Sequence, residues 1–260
     1  MLQAHSLLWY YLWVAPSVLL LVLAFLMWRR RLHVTYPFFL AFAVTSAVEQ
    51  LTLCIADLVP SVAAEAWWKI FWAGLLVEAL VKFAVIGEIF AHVFDAYSSL
   101  ANLGKILIRG VGAALVLAAA LAAAYAQKDS PFPLINGAHV LQQTVFLIET
   151  GLLLFIFVFA GYFHIKATRP VFGIALGFAI SGCVHLATWA ILANATLPSS
   201  KRILFDFVNM GTYHGCVLLW FYYLLVPKHI PPKPPDSPPP PEGPLDLEVW
   251  NQELERLLHR

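Results

Sequence analysis

"VEALVKFAVIGEIF", residues 77–90, has the apolar density of a membrane helix and yet carries Glu78, Lys82 and Glu88. A charged side chain at the centre of a bilayer costs roughly 2.5–3.5 kcal/mol on insertion-derived scales, so three in one stretch need a compensating reason. At about 100° per residue, Lys82 stands about 40° from Glu78, Glu88 about 80° the other way, and His92 between the two glutamates. The four share a face with Gly74, which leaves room for a close neighbour. A charged stripe of this kind must point at protein or at a wet cavity, never at lipid.

Outward from that stretch, the chain of 260 residues is 61% apolar and 12% charged, with a mean hydropathy of +0.77. Soluble domains carry about 25% charged residues. The excess of apolar residues falls in seven blocks, at 7–28, 37–58, 68–94, 106–126, 138–163, 170–193 and 203–226. Each is long enough to cross a hydrocarbon layer, so the expected fold is all-α, a polytopic bundle of seven transmembrane helices over residues 1–227.

The loops orient it. Arg29, Arg30 and Arg31 follow the first block, Lys105 and Arg109 open the fourth, Lys166 and Arg169 separate the fifth from the sixth, and Lys228 and Lys233 follow the seventh. All fall on one side if the helices alternate; the other side has Lys69, Lys128, Lys201 and Arg202. The positive-inside rule therefore expects a multi-pass plasma or inner-membrane protein with its N-terminus outside and its C-terminus cytoplasmic. Trp67 and Trp68 suit the outer interface and Trp28 the inner one. The opening "MLQAHSLLWYYLW" lacks a basic n-region and reads as an uncleaved anchor. Cys54, Cys183 and Cys216 lie inside apolar blocks without C-x-x-C spacing, as packing residues do.

After the bundle, residues 228–245 form a proline-rich linker that excludes helix and sheet. Residues 246–260, "DLEVWNQELERLLHR", then place Trp250, Leu254 and Leu257 on one stripe with Leu247, as a short amphipathic helix with Asp246 as N-cap. So short a helix needs a surface for its stripe: the bundle itself, a second copy of the chain, or a cytoplasmic protein. A faint repeat also shows, "LAFAVTSAVE" at 40–49 over "LGFAISGCVH" at 176–185, which would make the small-residue fourth block a linker between two triplets.

The charged stripe at 78–92 has company. The second block places Thr45, Glu49 and Thr52 on one side, and the fifth places Gln142 and Glu149 seven residues apart, with His139 nearby. The sixth has Ser181, His185 and Thr188; the seventh has Asp206, Asn209, Tyr213 and His214. At about 1.5 Å per residue, Glu49, Glu78, Glu149, His185 and His214 come near mid-depth, Asp206 and Asn209 a little outward and Glu88 inward. The candidate ligand- or proton-binding set is therefore Glu49, Glu78, Lys82, Glu88, Gln142, Glu149, His185, Asp206, Asn209 and His214. The first and fourth blocks contribute almost nothing.

Glu49, Glu78, Glu149 and Asp206 face one lysine. In a low dielectric the surplus carboxylates must be neutralised by protons, by His⁺ or by a bound cation. The leading functional expectation is a membrane sensor or receptor-like protein that binds a small molecule or a proton at mid-depth and signals through its tail. A proton-coupled carrier of a small solute is the second. A haem- or zinc-dependent membrane enzyme is the third: His185 and His214 share a depth, but no H-x-x-x-H or H-E-x-x-H occurs. A retinal-type photoreceptor would want a lysine in the core of the seventh block, which has none. Nothing resembles a phosphate loop, a nucleophile elbow or a nucleic-acid patch, so the expected partners are the bilayer and, through 246–260, a protein.

Overall fold

The structure is a computed structural model that describes residues 6–59, 63–94, 110, 113, 133–162, 167–194, 199–226, 251–252 and 254–256. The described residues are all-helical, with no strand among them. Six long helices are defined: α1 Leu7–Arg29, α2 Pro37–Leu58, α3 Ala64–Val93, α4 Pro133–Tyr162, α5 Arg169–Asn194 and α6 Ser199–Leu225. All of the fourth apolar block, 106–126, except residues 110 and 113, all of the proline-rich linker, 228–245, and most of the tail fall outside the described residues.

Five of the six are long and apolar enough to cross a membrane: α1, α2, α3 over Ala66–Val93, α4 over Gln142–Tyr162, and α5 over Arg169–Leu192. The chain is thus a multi-pass membrane protein by length and composition. Helix α6 is as long, but Lys201, Arg202, Asp206 and Asn209 dilute its apolar character. Large apolar side chains such as Phe25, Val77, Leu80, Leu154 and Val158 are exposed on the helix exteriors. In water they would be an aggregation hazard; in a bilayer they are the lipid face.

Each helix packs on the next in sequence, α6 returns to pack on α1, and α3 touches α5 across the interior. The ring closes over an aromatic cluster. Phe39 and Phe42 of α2 meet Phe178 of α5 and Trp220 of α6, with centroids 4.8 Å apart for Phe42–Phe178 and 5.1 Å for Phe178–Trp220. Trp220 is fully buried and its indole N–H donates to the carbonyl of Ile174 at 3.3 Å. Gly177 makes room for it, since a Cβ there would collide with the indole; Gly173 does the same for Tyr223, and Gly182 for Thr150 of α4. The glycines of α5 are therefore contact positions that seat side chains of α4 and α6 against the α5 backbone.

The helix ends use local chemistry. Ser6 caps α1 by accepting from the Trp9 amide at 3.3 Å. At the other end of α1, Arg31 takes a left-handed conformation, φ 57°, where glycine is the usual occupant. The Leu32 amide then reaches the Met27 carbonyl at 2.9 Å and the Arg31 amide the Trp28 carbonyl at 3.0 Å, and Leu32 packs against the core. Arg30 donates to the Leu225 carbonyl at 2.7 Å and Arg169 to the Val226 carbonyl at 2.8 Å. The C-terminus of α1, the N-terminus of α5 and the C-terminus of α6 thus gather at one end of the bundle, where cations suit the negative pole of α6. Within the tail, Leu254 packs against the bundle core and Asn251 is half-buried.

Candidate functional site

Helix α3 carries the site because Glu78 and Lys82 share one of its faces. Glu78 and Lys82 are one turn apart in the favourable order, and Lys82 Nζ lies 3.2 Å from Glu78 Oε1. The same ammonium lies 3.4 Å from Glu149 Oε2 on α4. Lys82 is 7% exposed and Glu149 1%. Glu149 makes no hydrogen bond with either oxygen among the described residues, so the ion pair alone compensates its burial. Lys82 also stands over the Phe146 ring, 4.5 Å from its centroid. That ring sits one turn before Glu149, and a desolvated ammonium gains from its negative face.

The third carboxylate comes from α2. Glu49 occupies the space left by Gly74: a Cβ at that position would collide with the Glu49 carboxyl group. Glu78 and Lys82 are within Coulombic range of Glu49, and both are within range of Tyr213 on α6. The Tyr213 hydroxyl shares a 3.0 Å hydrogen bond with Ser46 of α2. Four helices therefore converge on Lys82. A fifth is linked through Phe146, whose ring stacks on His185 of α5 with centroids 4.1 Å apart.

The remaining members of the predicted set are placed elsewhere. Glu88 reaches the start of α2 and accepts the amides of Phe38 and Phe39, both at 3.1 Å. Tyr36, the N-cap residue of α2, makes no side-chain cap, and Pro37 at the first position has no N–H to satisfy. Glu88 is thus the cap of a neighbouring helix, positioned where the helix dipole favours an anion. His92 bonds through Nδ1 to the Glu88 carbonyl at 2.8 Å and faces Tyr36. Asn209 accepts from Thr188 at 3.1 Å, tying α6 to α5. Gln142 is half-buried on α4, about 10 Å along the axis from Glu149. Asp206 is exposed on α6.

His214 turns toward α1. Its ring is 5.8 Å from that of Tyr11, and it lines an open groove of about 520 Å³ with Val14, Ala15, Val18, Leu19 and Leu218. Its Nδ1 is buried without a hydrogen-bond partner among the described residues. The two histidines that share a depth in the sequence therefore face different neighbours, His185 toward α4 and His214 toward α1. Among the described residues no three His, Cys, Asp or Glu side chains form a metal-ligand set.

Sequence reasoning missed Phe146, Ser46 and the use of Gly74 by Glu49. Phe146 lies one turn from Glu149, a signal present at i,i+3 but shared by many phenylalanines. The hydroxyls of Thr45 and Thr52 bond back to their own helix, at 2.8 Å to Ala41 and 2.7 Å to Val48, so they are spent locally. Comparison of the chain with family models, with curated proteins and with solved structures found no match.

Proposed function

We propose that the chain is a seven-helix integral membrane sensor, N-terminus outside and C-terminus cytoplasmic, whose stimulus acts on the buried charge cluster of Glu49, Glu78, Lys82 and Glu149. The supporting observation is one ammonium shared between carboxylates of two helices, with a third carboxylate held beside it. A scaffold does not require this. Replacing a buried ion pair by apolar residues of similar volume is often neutral or stabilising, so a bundle selected for stability alone has no use for a surplus of acid. Because the members come from α2, α3 and α4, any change in charge there alters how these helices hold one another.

The gathering of Arg30 and Arg169 at one end of the bundle supports the inside orientation of that end. The packing of Leu254 on the bundle core supports a tail that reads the state of the helices. A proton-coupled carrier is the second reading, favoured by the same surplus of buried acid. Reconstituted vesicles separate the two: a carrier acidifies the lumen when a solute gradient is imposed, and a sensor does not. In the sensor reading, the Glu78→Gln, Lys82→Met, Glu149→Gln triple variant, which leaves no carboxylate of the pair without its cation, keeps its helical fold and most of its thermal stability but no longer changes tail accessibility to protease on stimulation. Full response from that variant would reduce the pair to architecture.

A further inference from the structure

The centre of the charge cluster is already occupied. Lys82 Nζ stands where a bound cation would sit, 3.2 Å from Glu78 and 3.4 Å from Glu149. A hard metal ion wants six or more oxygen ligands, and an ammonium at their focus repels it. With Glu49, Glu78 and Glu149 ionised and Lys82 charged, the cluster still carries excess negative charge in a medium that penalises it heavily. Glu149 is the member least provided for. It is 1% exposed, its Oε2 has the shared ammonium, and its Oε1 has no hydrogen-bond partner among the described residues. Glu78, by contrast, lies on the helix of Lys82 itself and keeps its partner whatever α4 does.

We propose that the stimulus of this site is the proton, taken up on Glu149, and that its uptake moves Lys82 wholly to Glu78 and unties α4 from α3. The inference rests on the sensor reading for its biological meaning. The step is a simple transfer: an O–H bond of hydronium from the acidified solvent breaks and leaves water, a new O–H bond forms at Glu149 Oε1, and the carboxylate becomes a neutral acid. Lys82 then keeps Glu78 as its counter-ion, with Glu49 in Coulombic range, while the α3–α4 contact retains the Phe146 ring. The groups that face the pair from the surrounding helices are Glu49 on α2, Glu78 on α3, His185 on α5 through Phe146, and Tyr213 on α6.

The test uses the full chain in lipid nanodiscs with Cys54, Cys183 and Cys216 replaced by alanine and spin labels at Leu80→Cys and Leu154→Cys, both lipid-exposed positions. The expected result is an interlabel distance that shifts between two populations as pH falls, with a matching rise in the infrared band of protonated carboxyl. E149Q, which imitates the protonated acid, holds the low-pH distance at every pH; E149D, should E149Q fold poorly, shifts the midpoint. A distance indifferent to pH in the parent protein overturns the proposal, as does an E149Q variant that titrates like the parent. Sodium or calcium producing the same shift at fixed pH overturns it too. A third label at Gln252→Cys separates this inference from the sensor reading. If the α3–α4 distance follows pH while the tail stays still, proton uptake stands and signalling through the tail fails. If the tail moves on another stimulus while that distance ignores pH, the reverse holds.

Discussion

Glu88 and Glu149 are both buried carboxylates of one bundle, 8% and 1% exposed, and they are compensated in opposite ways. Glu88 is met by two backbone amides at the start of α2, donors that belong to fixed architecture and cannot leave. Glu149 is met by one ammonium, which has a second carboxylate within reach. A carboxylate answered by backbone amides has one stable arrangement. A carboxylate answered by a shared side-chain ammonium depends on a group that has a second carboxylate to turn to. The difference separates an acid held by backbone from one held by a side chain, within about three turns of α3 and the helix beside it, and the second is the one proposed to respond.

The comparison is broken hardest at Lys82. Lys82→Met leaves Glu78 and Glu149 buried without a cation and is expected to cost about 3–5 kcal/mol, the usual loss when one partner of a buried pair is removed. Adding Glu78→Gln and Glu149→Gln to it should recover most of that loss. Thermal unfolding in micelles, followed by circular dichroism, checks both steps. A single variant as stable as the parent would mean that the carboxylates are already neutral.

At the structural acid, Glu88→Ala removes two charge-assisted bonds and leaves two amides bare, for an expected loss of about 2–3 kcal/mol. Hydrogen exchange should quicken at the Phe38 and Phe39 amides, with the signals of α4 unchanged. Exchange that quickens equally around Glu149 would show that the two acids form one unit.

The smallest expected effect sharpens the comparison. Gly74→Ala drives a Cβ into the space of the Glu49 carboxyl and should cost about 1–3 kcal/mol through overpacking. Because Glu49 is then pushed off the cluster and Glu88 is untouched, Gly74→Ala should alter the pH response proposed for Glu149 and leave the α2 amides protected. Unfolding curves and amide exchange on the same sample decide it.

Much of this was legible in the residues. The stripe on α3 could be read from spacing because i,i+4 neighbours on a helix meet whatever surrounds them, which is why Glu78 and Lys82 pair as one expects. That α2 and α4 would bring Glu49 and Glu149 to the same ammonium followed less directly, from depth and from the rule that buried charge seeks charge. Depth could not distinguish Glu88, whose partner is a helix end, from Glu78, whose partner is a side chain. Nor could it tell that His214 would face Tyr11 and an apolar groove, or that Asp206 would be exposed, since both depend on the rotation of α6 about its axis. Hydroxyls were the least readable: Thr45 and Thr52 spend theirs on their own backbones, an option open to every helical threonine.

The amino-acid sequence by itself determined that this chain is built to cross a membrane several times and that the charged stripe of Glu78, Lys82 and Glu88 lies on an interior face. Hydrocarbon allows no other resting place for an apolar run of that length or for an ionised side chain within it. Which charge answers which was decided by the tertiary structure alone. Coulombic pairing and hydrogen bonding act over a few ångströms, and only the azimuth and close approach of neighbouring helices set those distances. The glycines at 74, 177 and 182 permit that closeness, which leaves Glu149 beside the Lys82 ammonium and Glu88 at the two amides of α2.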